Sequence, residues 1–221
     1  MKIAIVGNGR MGKAVAALGS QLGHSIHTVV DSSENTGGRG LTRERLAGVD
    51  VAVEFTGPEA VVANLKRLIE LGIPTVTGTT GWIAALPQII ALVEARRGAL
   101  LHAANFSIGV HLFLRAAREL ARNFSGRPEF VASIREEHHA AKLDSPSGTA
   151  LLLQQRLGDS DKARSFPITS VRTGTVPGTH ELVYEGPHET VSLSHAARDR
   201  EAFAAGALAA AEWLPGKTGV F

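Results

Sequence analysis

The sequence predicts an α/β fold: a domain with a parallel sheet, joined to a smaller α+β domain with a mixed or antiparallel sheet. In the first half of the chain, short apolar runs alternate with stretches of helix formers, which is typical of parallel strands joined by right-handed helical crossovers. After residue 130, short strand-like segments follow without such helices between them, and Pro-Gly and Gly-Pro turns separate the later ones. The 221 residues are enough for two modest cores.

Composition excludes several classes of protein. The residues are 44% hydrophobic and 20% charged, the net charge is +2, and no block of like charges marks a nucleic-acid or membrane surface. The absence of cysteine excludes disulfides and thiolate chemistry. The N-terminus has no basic region followed by a long apolar run, as a signal peptide would, and no apolar run reaches transmembrane length. We therefore expect a cytoplasmic protein whose partner is a small molecule, not nucleic acid or membrane.

The first strand, Lys2 to Val6, is predicted to lead through a glycine turn into a helix over 13–22. In the turn, Gly7 is expected to make the tight bend, Gly9 to let a pyrophosphate approach the backbone, and Gly12 to pack the helix on its strand. Free amides at the helix N-terminus then face the phosphates. Such a turn also occurs simply to join a strand to a helix. The candidate cofactor residues here are Gly7, Asn8, Gly9, Arg10, Met11 and Gly12.

Asp31 ends the second predicted strand, Ser25 to Val30. A carboxylate at this place is suited to accept hydrogen bonds from the adenosine ribose hydroxyls and to repel a 2′-phosphate. The alternative is an aspartate that only begins a loop. Because Ser32, Ser33 and Arg39 lie nearby, the sequence leaves both NADH and NADPH open as cofactors and predicts that NADH is used at least as well.

Further strands and helices continue the parallel pattern, and polar loops follow two of the strands. Since ligands bind at the carboxyl ends of parallel strands, the loops 78–81 and 104–107 are candidates to hold a nicotinamide and its carboxamide. The alternative is that they are turn formers with one core aromatic, Phe106. The predicted strands are 51–55, 73–77 and 99–103, and the predicted helices are 58–71 and 84–97.

The second domain is predicted to span 107–195, and the Rossmann-type first domain to comprise 1–106 and 196–221. An amphipathic helix over 107–123 opens the second domain, and a helix over 147–157 is inserted in it. The alanine-rich helix 198–214 is expected to return to the first domain. The predicted strands of the second domain are 130–137, 168–173, 180–185 and 189–195.

Polar residues are concentrated between Glu136 and Ala150. A histidine is suited to proton transfer because its ordinary pKa lies near working pH, and Lys142 supplies a positive charge. The amides of 148 and 149 lie where a helix begins and its dipole is positive. Ser147 is both a candidate ligand and a candidate N-cap. Adjacent histidines on a strand point to opposite faces and no further ligand spacing is present, so we predict no metal site, and we interpret Glu136 and Glu137 as a charged strand face.

In these motifs the chain resembles the bacterial 4-hydroxy-tetrahydrodipicolinate reductase (dihydrodipicolinate reductase) family. The most specific match is 137–150, EHHAAKLDSPSGTA, which is similar to the substrate signature of that family, with Ser145 where alanine is commoner. A glycine motif alone is shared by many dehydrogenases, whereas five matches in order are specific. The four shorter matches are 9–12, 78–81, 105–110 and 205–208.

The resemblance implies NAD(P)H-dependent reduction of 4-hydroxy-tetrahydrodipicolinate to tetrahydrodipicolinate, in the diaminopimelate route to lysine. It implies that His138 is the catalytic acid/base and that Lys142 is a second acid. The implied substrate contacts are His139, Lys142, Ser147, Gly148 and Thr149. The implied cofactor contacts are the six residues from Gly7 to Gly12, together with Asp31, Gly78, Thr79, Thr80, Ala103, Ala104, Asn105 and Phe106.

Departures from the family pattern concern length and assembly. The segments 32–48 and 158–165 are compact, and the last strand usual in the family is expected to be missing. The family builds a tetramer through its second domain, so the resemblance implies a homotetramer that these trimmed edges call into question. His111 stands where asparagine is more usual, and we have no physical account of it.

Two other functions fit part of the sequence. Another small-substrate dehydrogenase of this architecture, such as one acting on an aspartate-derived semialdehyde, would explain the glycine turn but not the clustering of His138 and Lys142 with residues 147–149. A sensor that binds NAD(H) to control a partner would explain the cofactor motifs alone.

Overall fold

The computed structural model describes residues 1–221 and divides them into two compact units. One unit comprises Met1–Phe106 and Phe203–Phe221, and the other comprises Ser107–Ala202. This division assigns residues 196–202 to the second unit. The elements in chain order are β1 (Lys2–Val6), α1 (Arg10–Gln21), β2 (Ser25–Val30), β3 (Val51–Glu54), α2 (Pro58–Glu70), β4 (Thr75–Thr77), α3 (Leu86–Arg96), β5 (Ala99–His102), α4 (Ile108–Phe124), β6 (Val131–His138), α5 (Gly148–Ser160), β7 (Ile168–Arg172), β8 (Thr179–Glu185), β9 (Thr190–Ala196), α6 (Glu201–Trp213) and β10 (Gly219–Val220).

The first unit is built on a six-stranded parallel sheet with the order β10-β5-β4-β3-β1-β2. Two of its central strands carry fully buried apolar runs, Ile3 to Val6 and Val51 to Val53, as expected for strands covered on both faces. Helix α6 contributes Ala204 and Leu208 to the same core, and the residue that follows the helix contributes Leu214. The predicted Rossmann-type parallel sheet is confirmed.

β10 corrects one expectation from the sequence, because the last strand is present. Gly219 and Val220 lie parallel to Ala99 and Leu100 of β5. The amide of Phe221 donates to the Leu100 carbonyl at 2.9 Å, and the amide of His102 donates to the Phe221 carbonyl at 3.0 Å. Two residues that include a glycine carry no apolar alternation, so no sequence pattern marks this strand.

The second unit contains a four-stranded mixed sheet with the order β7-β6-β8-β9, in which only the β6–β7 pair is parallel. Apolar residues of α4 and α5, among them Phe113, Leu153 and Leu157, form one core with Ile134 and Tyr184 of the sheet. The predicted mixed sheet is confirmed. No helix in either unit combines the length and apolar character needed to cross a bilayer.

Along strand β6, buried side chains alternate strictly with less buried ones. This alternation positions the polar site of the second unit. Ala132, Ile134, Glu136 and His138 are buried on the face toward the helices, and the residues between them are less buried. A strand places every second side chain on the same face. Glu136 and His138 therefore continue an apolar face instead of a solvated one.

Candidate active site

The glycine turn after β1 has the tight geometry expected from the sequence. Gly7 has φ = 105°, and a Cβ atom there would lie 2.1 Å from the Phe55 carbonyl oxygen. A Cβ atom on Gly12 would lie 1.8 Å from the Gly7 carbonyl oxygen, so Gly12 lets α1 pack on the turn. Gly9 is the N-cap of α1 without a capping side chain, and the space beside it is open. The turn therefore presents uncapped helix amides to an open cradle.

A cavity of about 680 Å³ lies beside this turn in the first unit. Its walls come from the turn, the end of β2 and the loop after β3, with Asp31, Ser32 and Thr36 among the lining residues. The Asp31 carboxylate accepts the Ser33 amide at 3.0 Å, and this hydrogen bond lowers the pKa of Asp31. An ionised carboxylate thus lines the cavity at the carboxyl edge of the sheet.

The nearby arginines are engaged by the protein. Arg45 lies 2.6 Å from Glu34 Oε1 and also donates to the Val29 carbonyl oxygen. Arg39 donates through Nε to the Thr36 carbonyl oxygen at 3.2 Å. Both guanidinium groups therefore already hold the segment that follows β2.

A second cavity of about 320 Å³ in the first unit brings together the loops that follow β1, β3 and β4. Gly9, Arg10 and Met11 line it together with Gly78, Thr79 and Thr80. These two motifs are far apart in the sequence, and the parallel sheet aligns them at one edge.

The loop after β5, unlike the loops after β1, β3 and β4, is not centred on either cavity. Phe106 is 7% exposed and lies edge-on to Phe55, with ring centroids 6.0 Å apart. It belongs to the core of the first unit, which is the alternative left open by the sequence. Ala103 donates its amide to the Thr77 carbonyl oxygen, so this loop is tied to β4. None of the residues from Ala103 to Asn105 lines either cavity.

Glu54 is a site residue that the sequence did not reveal. It ends β3, is fully buried, and accepts hydrogen bonds from three threonine hydroxyls. Thr77 and Thr79 donate to Oε2 at 2.5 and 2.8 Å, and Thr56 donates to Oε1. The Thr79 hydroxyl also accepts the Thr56 amide at 2.8 Å. The Thr79 hydroxyl is thus used within the protein, and Glu54 fixes two loops that line the second cavity.

In the second unit, His138 is paired with a buried carboxylate. His138 is 7% exposed and Glu136 is fully buried, and His138 Nδ1 contacts Glu136 Oε2. The other oxygen, Oε1, accepts from Arg172 Nη2 at 2.7 Å and from the Ser147 amide at 3.3 Å. The interpretation of Glu136 and Glu137 as one charged strand face is wrong, because β6 alternation puts Glu136 on the buried face. Glu137 lies on the opposite face, and its side chain is 27% exposed.

His180 on β8 joins this cluster through the register of the sheet. It lies opposite Glu136, and its ring is 5.1 Å from that of His138 in an edge-to-face arrangement. Ser147 caps α5 by accepting the Ala150 amide at 3.2 Å, and its hydroxyl lies 3.1 Å from His180 Nε2. The N-cap interpretation of Ser147 is therefore confirmed, and this side chain is 2% exposed.

The segment between β6 and α5 carries the other predicted residues. Lys142 Nζ lies 2.7 Å from Asp144 Oδ1, and the Asp144 carbonyl oxygen accepts from Arg172 at 2.5 Å. Gly148 and Thr149 form the first turn of α5, and Gly148 is exposed with open space beside it. His139 is half-buried and its carbonyl oxygen accepts the Lys142 amide. A cation, a helix N-terminus and a histidine thus lie in one short region.

Burial and charge set the protonation of the cluster. Burial acts to raise the pKa of Glu136, but the hydrogen bond and charge of Arg172 and the nearby His138 outweigh it and hold the pKa at about 2. Burial lowers the pKa of His138, Lys142 and Arg172 act in the same direction, and Glu136 opposes them. Burial, with His138 nearby, lowers the pKa of His180 to about 4. At neutral pH, Glu136 is therefore ionised and His180 is neutral.

The cluster also contains metal-ligand residue types. Ligand-type atoms of Glu136, His138 and His180 lie within 4.8 Å of one another, and all three residues are buried. The sequence reasoning missed His180, because a partner on another strand leaves no spacing pattern in the chain. However, the Arg172 guanidinium already binds Oε1 of Glu136, and His138 Nδ1 lies in contact with Oε2. One carboxylate oxygen is therefore already used by a cationic group of the protein.

Comparison with known proteins covers the entire chain. Residues 1–106 match the family model described as dihydrodipicolinate reductase, N-terminus, and residues 109–221 match the one described as dihydrodipicolinate reductase, C-terminus. A solved structure, dipicolinate-bound dihydrodipicolinate reductase from Paenisporosarcina sp. TG-14, superposes with a TM-score of 0.81 over 100% of this chain and 97% of its own. At 22% identity that likeness shows the fold.

Curated relatives carry the same family name. The 4-hydroxy-tetrahydrodipicolinate reductase of Christiangramia forsetii is 35% identical over 100% of this chain and 95% of its own length. That of Rhodopseudomonas palustris strain BisB5 is 37% identical over 78% of this chain and 69% of its own length. With both of its halves matched and a relative of this identity over its full length, the chain belongs to the dihydrodipicolinate reductase family.

Proposed function

We propose that this chain catalyses the NAD(P)H-dependent reduction of 4-hydroxy-tetrahydrodipicolinate to tetrahydrodipicolinate, in the diaminopimelate route to lysine. The observation that carries the proposal is the pairing of His138 with a buried carboxylate beside Lys142 and the start of α5, in a chain that both family models match. A generic dehydrogenase gives no reason for this cluster. The names of the relatives supply the substrate.

The first unit fits a dinucleotide cofactor. The open space at Gly9, the uncapped amides of α1 and the Asp31 carboxylate match a pyrophosphate and an adenosine ribose. When bound, the reduced nicotinamide supplies the hydride. The loops at Gly78 and Thr80 line the second cavity, which supports a place for the nicotinamide there.

We infer that NADH is used at least as well as NADPH. Asp31 is ionised and lines the cavity, so a 2′-phosphate would meet a like charge. The two nearest candidate counter-charges, Arg39 and Arg45, are engaged by Thr36 and Glu34. Use of NADPH would require Arg45 to leave Glu34, or Arg39 to bind the 2′-phosphate through the N–H groups that do not contact Thr36.

His138 is assigned the proton transfer. Because the ionised Glu136 can only accept hydrogen bonds, the Nδ1 atom of His138 carries a proton, and Nε2 is the atom free for exchange. Hydride addition to the unsaturated ring leaves negative charge that a proton must neutralise. The imidazolium donates from Nε2 and returns to the neutral form held by Glu136.

Lys142 is assigned to a substrate carboxylate, with the N-terminus of α5 as the second anion site. In the structure Nζ is paired with Asp144, whose side chain is 55% exposed. A carboxylate of the substrate can therefore exchange with Asp144 at the ammonium group. The positive end of the α5 dipole at Gly148 favours another carboxylate.

We also infer a cytoplasmic homotetramer, on the basis of the family resemblance. The edge strand β9 has no fully buried residue and leaves one side unpaired, which supports association through the second unit. Size-exclusion chromatography with light scattering tests the tetramer.

The decisive assay follows the loss of NADH absorbance with freshly made 4-hydroxy-tetrahydrodipicolinate. We expect turnover with NADH at least as fast as with NADPH. An aspartate-derived semialdehyde is the control substrate, and turnover of that compound instead would favour the other dehydrogenase. Tight NADH binding without turnover of either substrate would favour a sensor of NAD(H).

A further inference from the structure

We propose that Glu136 is a positioning residue for the proton donor His138, and that Arg172 holds Glu136 in the orientation this requires. The inference rests on the proposed function. It concerns two residues to which the sequence reasoning gave no part in the reaction, one from β6 and one from the end of β7.

The sheet brings these side chains together. Glu136 precedes His138 by two residues, so both lie on the buried face of β6. The β6–β7 register sets Arg172 directly beside His138, and the β6–β8 register sets His180 opposite Glu136. The His138 carbonyl oxygen accepts the Thr173 amide at 2.9 Å, which fixes the two strand ends to each other.

The Glu136 carboxylate is fully used by groups that matter to the site. Oε2 contacts His138 Nδ1, and Oε1 accepts both Arg172 Nη2 at 2.7 Å and the Ser147 amide at 3.3 Å. Through Ser147, the carboxylate also fixes the start of α5. Because two donors hold Oε1, the carboxylate cannot turn freely, and its Oε2 faces the imidazole in one orientation.

Arg172 extends the same control to the Lys142 segment. Its Nη2 atom donates to the Asp144 carbonyl oxygen at 2.5 Å, and Asp144 in turn pairs with Lys142. The Arg172 side chain is 17% exposed. One guanidinium group thus connects the proton donor, through Glu136, with the segment that carries the substrate cation.

Two consequences follow for His138. The contact with Glu136 fixes the tautomer with hydrogen on Nδ1, so Nε2 is the exchanging atom. Gly178 lies against that atom, since a Cβ there would be 2.9 Å from Nε2. Any side chain at position 178 would therefore collide with this nitrogen.

Glu136 also determines the charge balance around the ring. The charged or titratable groups facing His138 are Glu136 on its own strand, Arg172 on β7, His180 on β8 and Lys142 in the following segment. Only Glu136 favours the imidazolium, and the cations and burial oppose it. Without this carboxylate, burial, Lys142 and Arg172 would all lower the pKa of His138, and nothing would oppose them.

The test is Glu136→Gln, with kinetics measured across pH. A glutamine has one acceptor oxygen where the carboxylate has two, so either His138 Nδ1–H or the donors from Arg172 and Ser147 face an amide NH₂ group. We expect kcat to fall roughly 10- to 100-fold with little change in KM, by analogy with the carboxylates that orient metal-bound histidines. Because loss of the carboxylate lowers the pKa of His138, the fall of kcat/KM with rising pH moves to lower pH.

Glu181→Gln is the matched control. Glu181 follows His180 on β8, so it lies on the opposite face of the same sheet and is half-buried. This variant removes the same charge from the same unit, and we expect its kcat and pH profile to match those of the wild-type enzyme. A pH shift of equal size in this control would overturn the proposal, because the effect would then come from net charge.

The double variant Glu136→Gln, Arg172→Met separates positioning from folding. Removing both partners leaves no unpaired buried charge, so this protein is expected to fold even where the single variant does not. We expect the same loss of kcat and a pH shift in the same direction as in Glu136→Gln, but a smaller one, because Arg172 also lowers the pKa of His138. Restoration of wild-type turnover and pH profile would overturn the proposal, since Glu136 would then serve only to neutralise Arg172.

NMR titration tests the same effect on the pKa of His138 without measuring turnover. The ring protons of His138, assigned with His138→Asn, should titrate at lower pH in the double variant than in the wild-type enzyme. Unchanged titration would overturn the proposal. If the wild-type enzyme itself fails to reduce 4-hydroxy-tetrahydrodipicolinate, the proposed function fails, whereas a failure of the positioning role leaves wild-type turnover intact.

Discussion

At the scale of single residues, the protonation of His138 depends on what enters the site. Burial lowers its pKa, and Lys142 and Arg172 add to this effect while Glu136 opposes it. The free enzyme at neutral pH therefore holds a mainly neutral imidazole. A dicarboxylate substrate brings two negative charges, which favour the imidazolium. We expect the proton donor to become charged as the substrate binds.

His138→Gln tests this residue directly. Glutamine keeps a polar side chain of similar reach but cannot be protonated, so we expect kcat to fall about 100-fold or more while KM changes little. Steady-state kinetics with NADH provide the measurement. His188→Gln, in the exposed turn between β8 and β9, is the matched control and should behave as wild type. Turnover within a few fold of wild type would remove His138 from the mechanism.

At the scale of elements, the periodicity of the sequence predicted most of the fold, but it did not predict which side chains on different strands contact one another. The alternation of β and α segments is visible along the chain, so the parallel sheet and the glycine turn follow from it. The partners of Glu136 do not: Arg172 and His180 reach it only through the register of β7 and β8. The period of two in β6 did contain a usable signal, since Ile134, Glu136 and His138 share a face.

In the first unit, Glu54 is a second residue whose partners cannot be predicted from the periodicity of the sequence. The end of an apolar strand gives no sign that its carboxylate will bind hydroxyls from three different positions. Because Thr56 and Thr79 belong to separate loops that line the same cavity, Glu54 connects those loops below the site. A cofactor contact of Thr79 stays a prediction: its hydroxyl is bonded within the protein, and Gly78, Thr79 and Thr80 all line the cavity.

Glu54→Gln should therefore weaken cofactor binding more than chemistry. The amide NH₂ group replaces one acceptor, so at least one threonine hydroxyl has to turn, and we expect a loss of about 1 to 3 kcal/mol in stability. We expect Kd for NADH to rise roughly tenfold, with kcat within about threefold of wild type. Fluorescence titration with NADH provides the measurement.

The control for Glu54 is Glu70→Gln. Glu70 lies in the last turn of α2, with a side chain 44% exposed and a distant contact to Arg67 at 3.8 Å. We expect no change in NADH affinity for this variant. An equal loss of affinity in both variants, or none in Glu54→Gln, would count against a role for Glu54 in holding the cofactor loops.

At the scale of the whole molecule, each unit has its own core and the strongly shifted titrating groups lie in the second. Glu136 and His180 have pKa values of about 2 and about 4, compared with ordinary values of 4.5 and 6.5. A depressed pKa in the folded state stabilises the protein above the unfolded value and loses that effect as pH falls. The contribution of His180, about 3 kcal/mol by this relation, should be lost between pH 6.5 and about 4.

Acidification should therefore destabilise the second unit before the first. Both tryptophans, Trp82 and Trp213, belong to the first unit, and the single tyrosine, Tyr184, is buried in the second. Thermal unfolding followed separately by tryptophan fluorescence and tyrosine absorbance should show the tyrosine transition falling further between pH 7 and pH 5. His180→Gln removes the titrating group, so the extra fall should shrink in that variant. Equal shifts of both signals would mean that the two units unfold as one, and an undiminished fall in His180→Gln would mean that the acid sensitivity does not originate in this cluster.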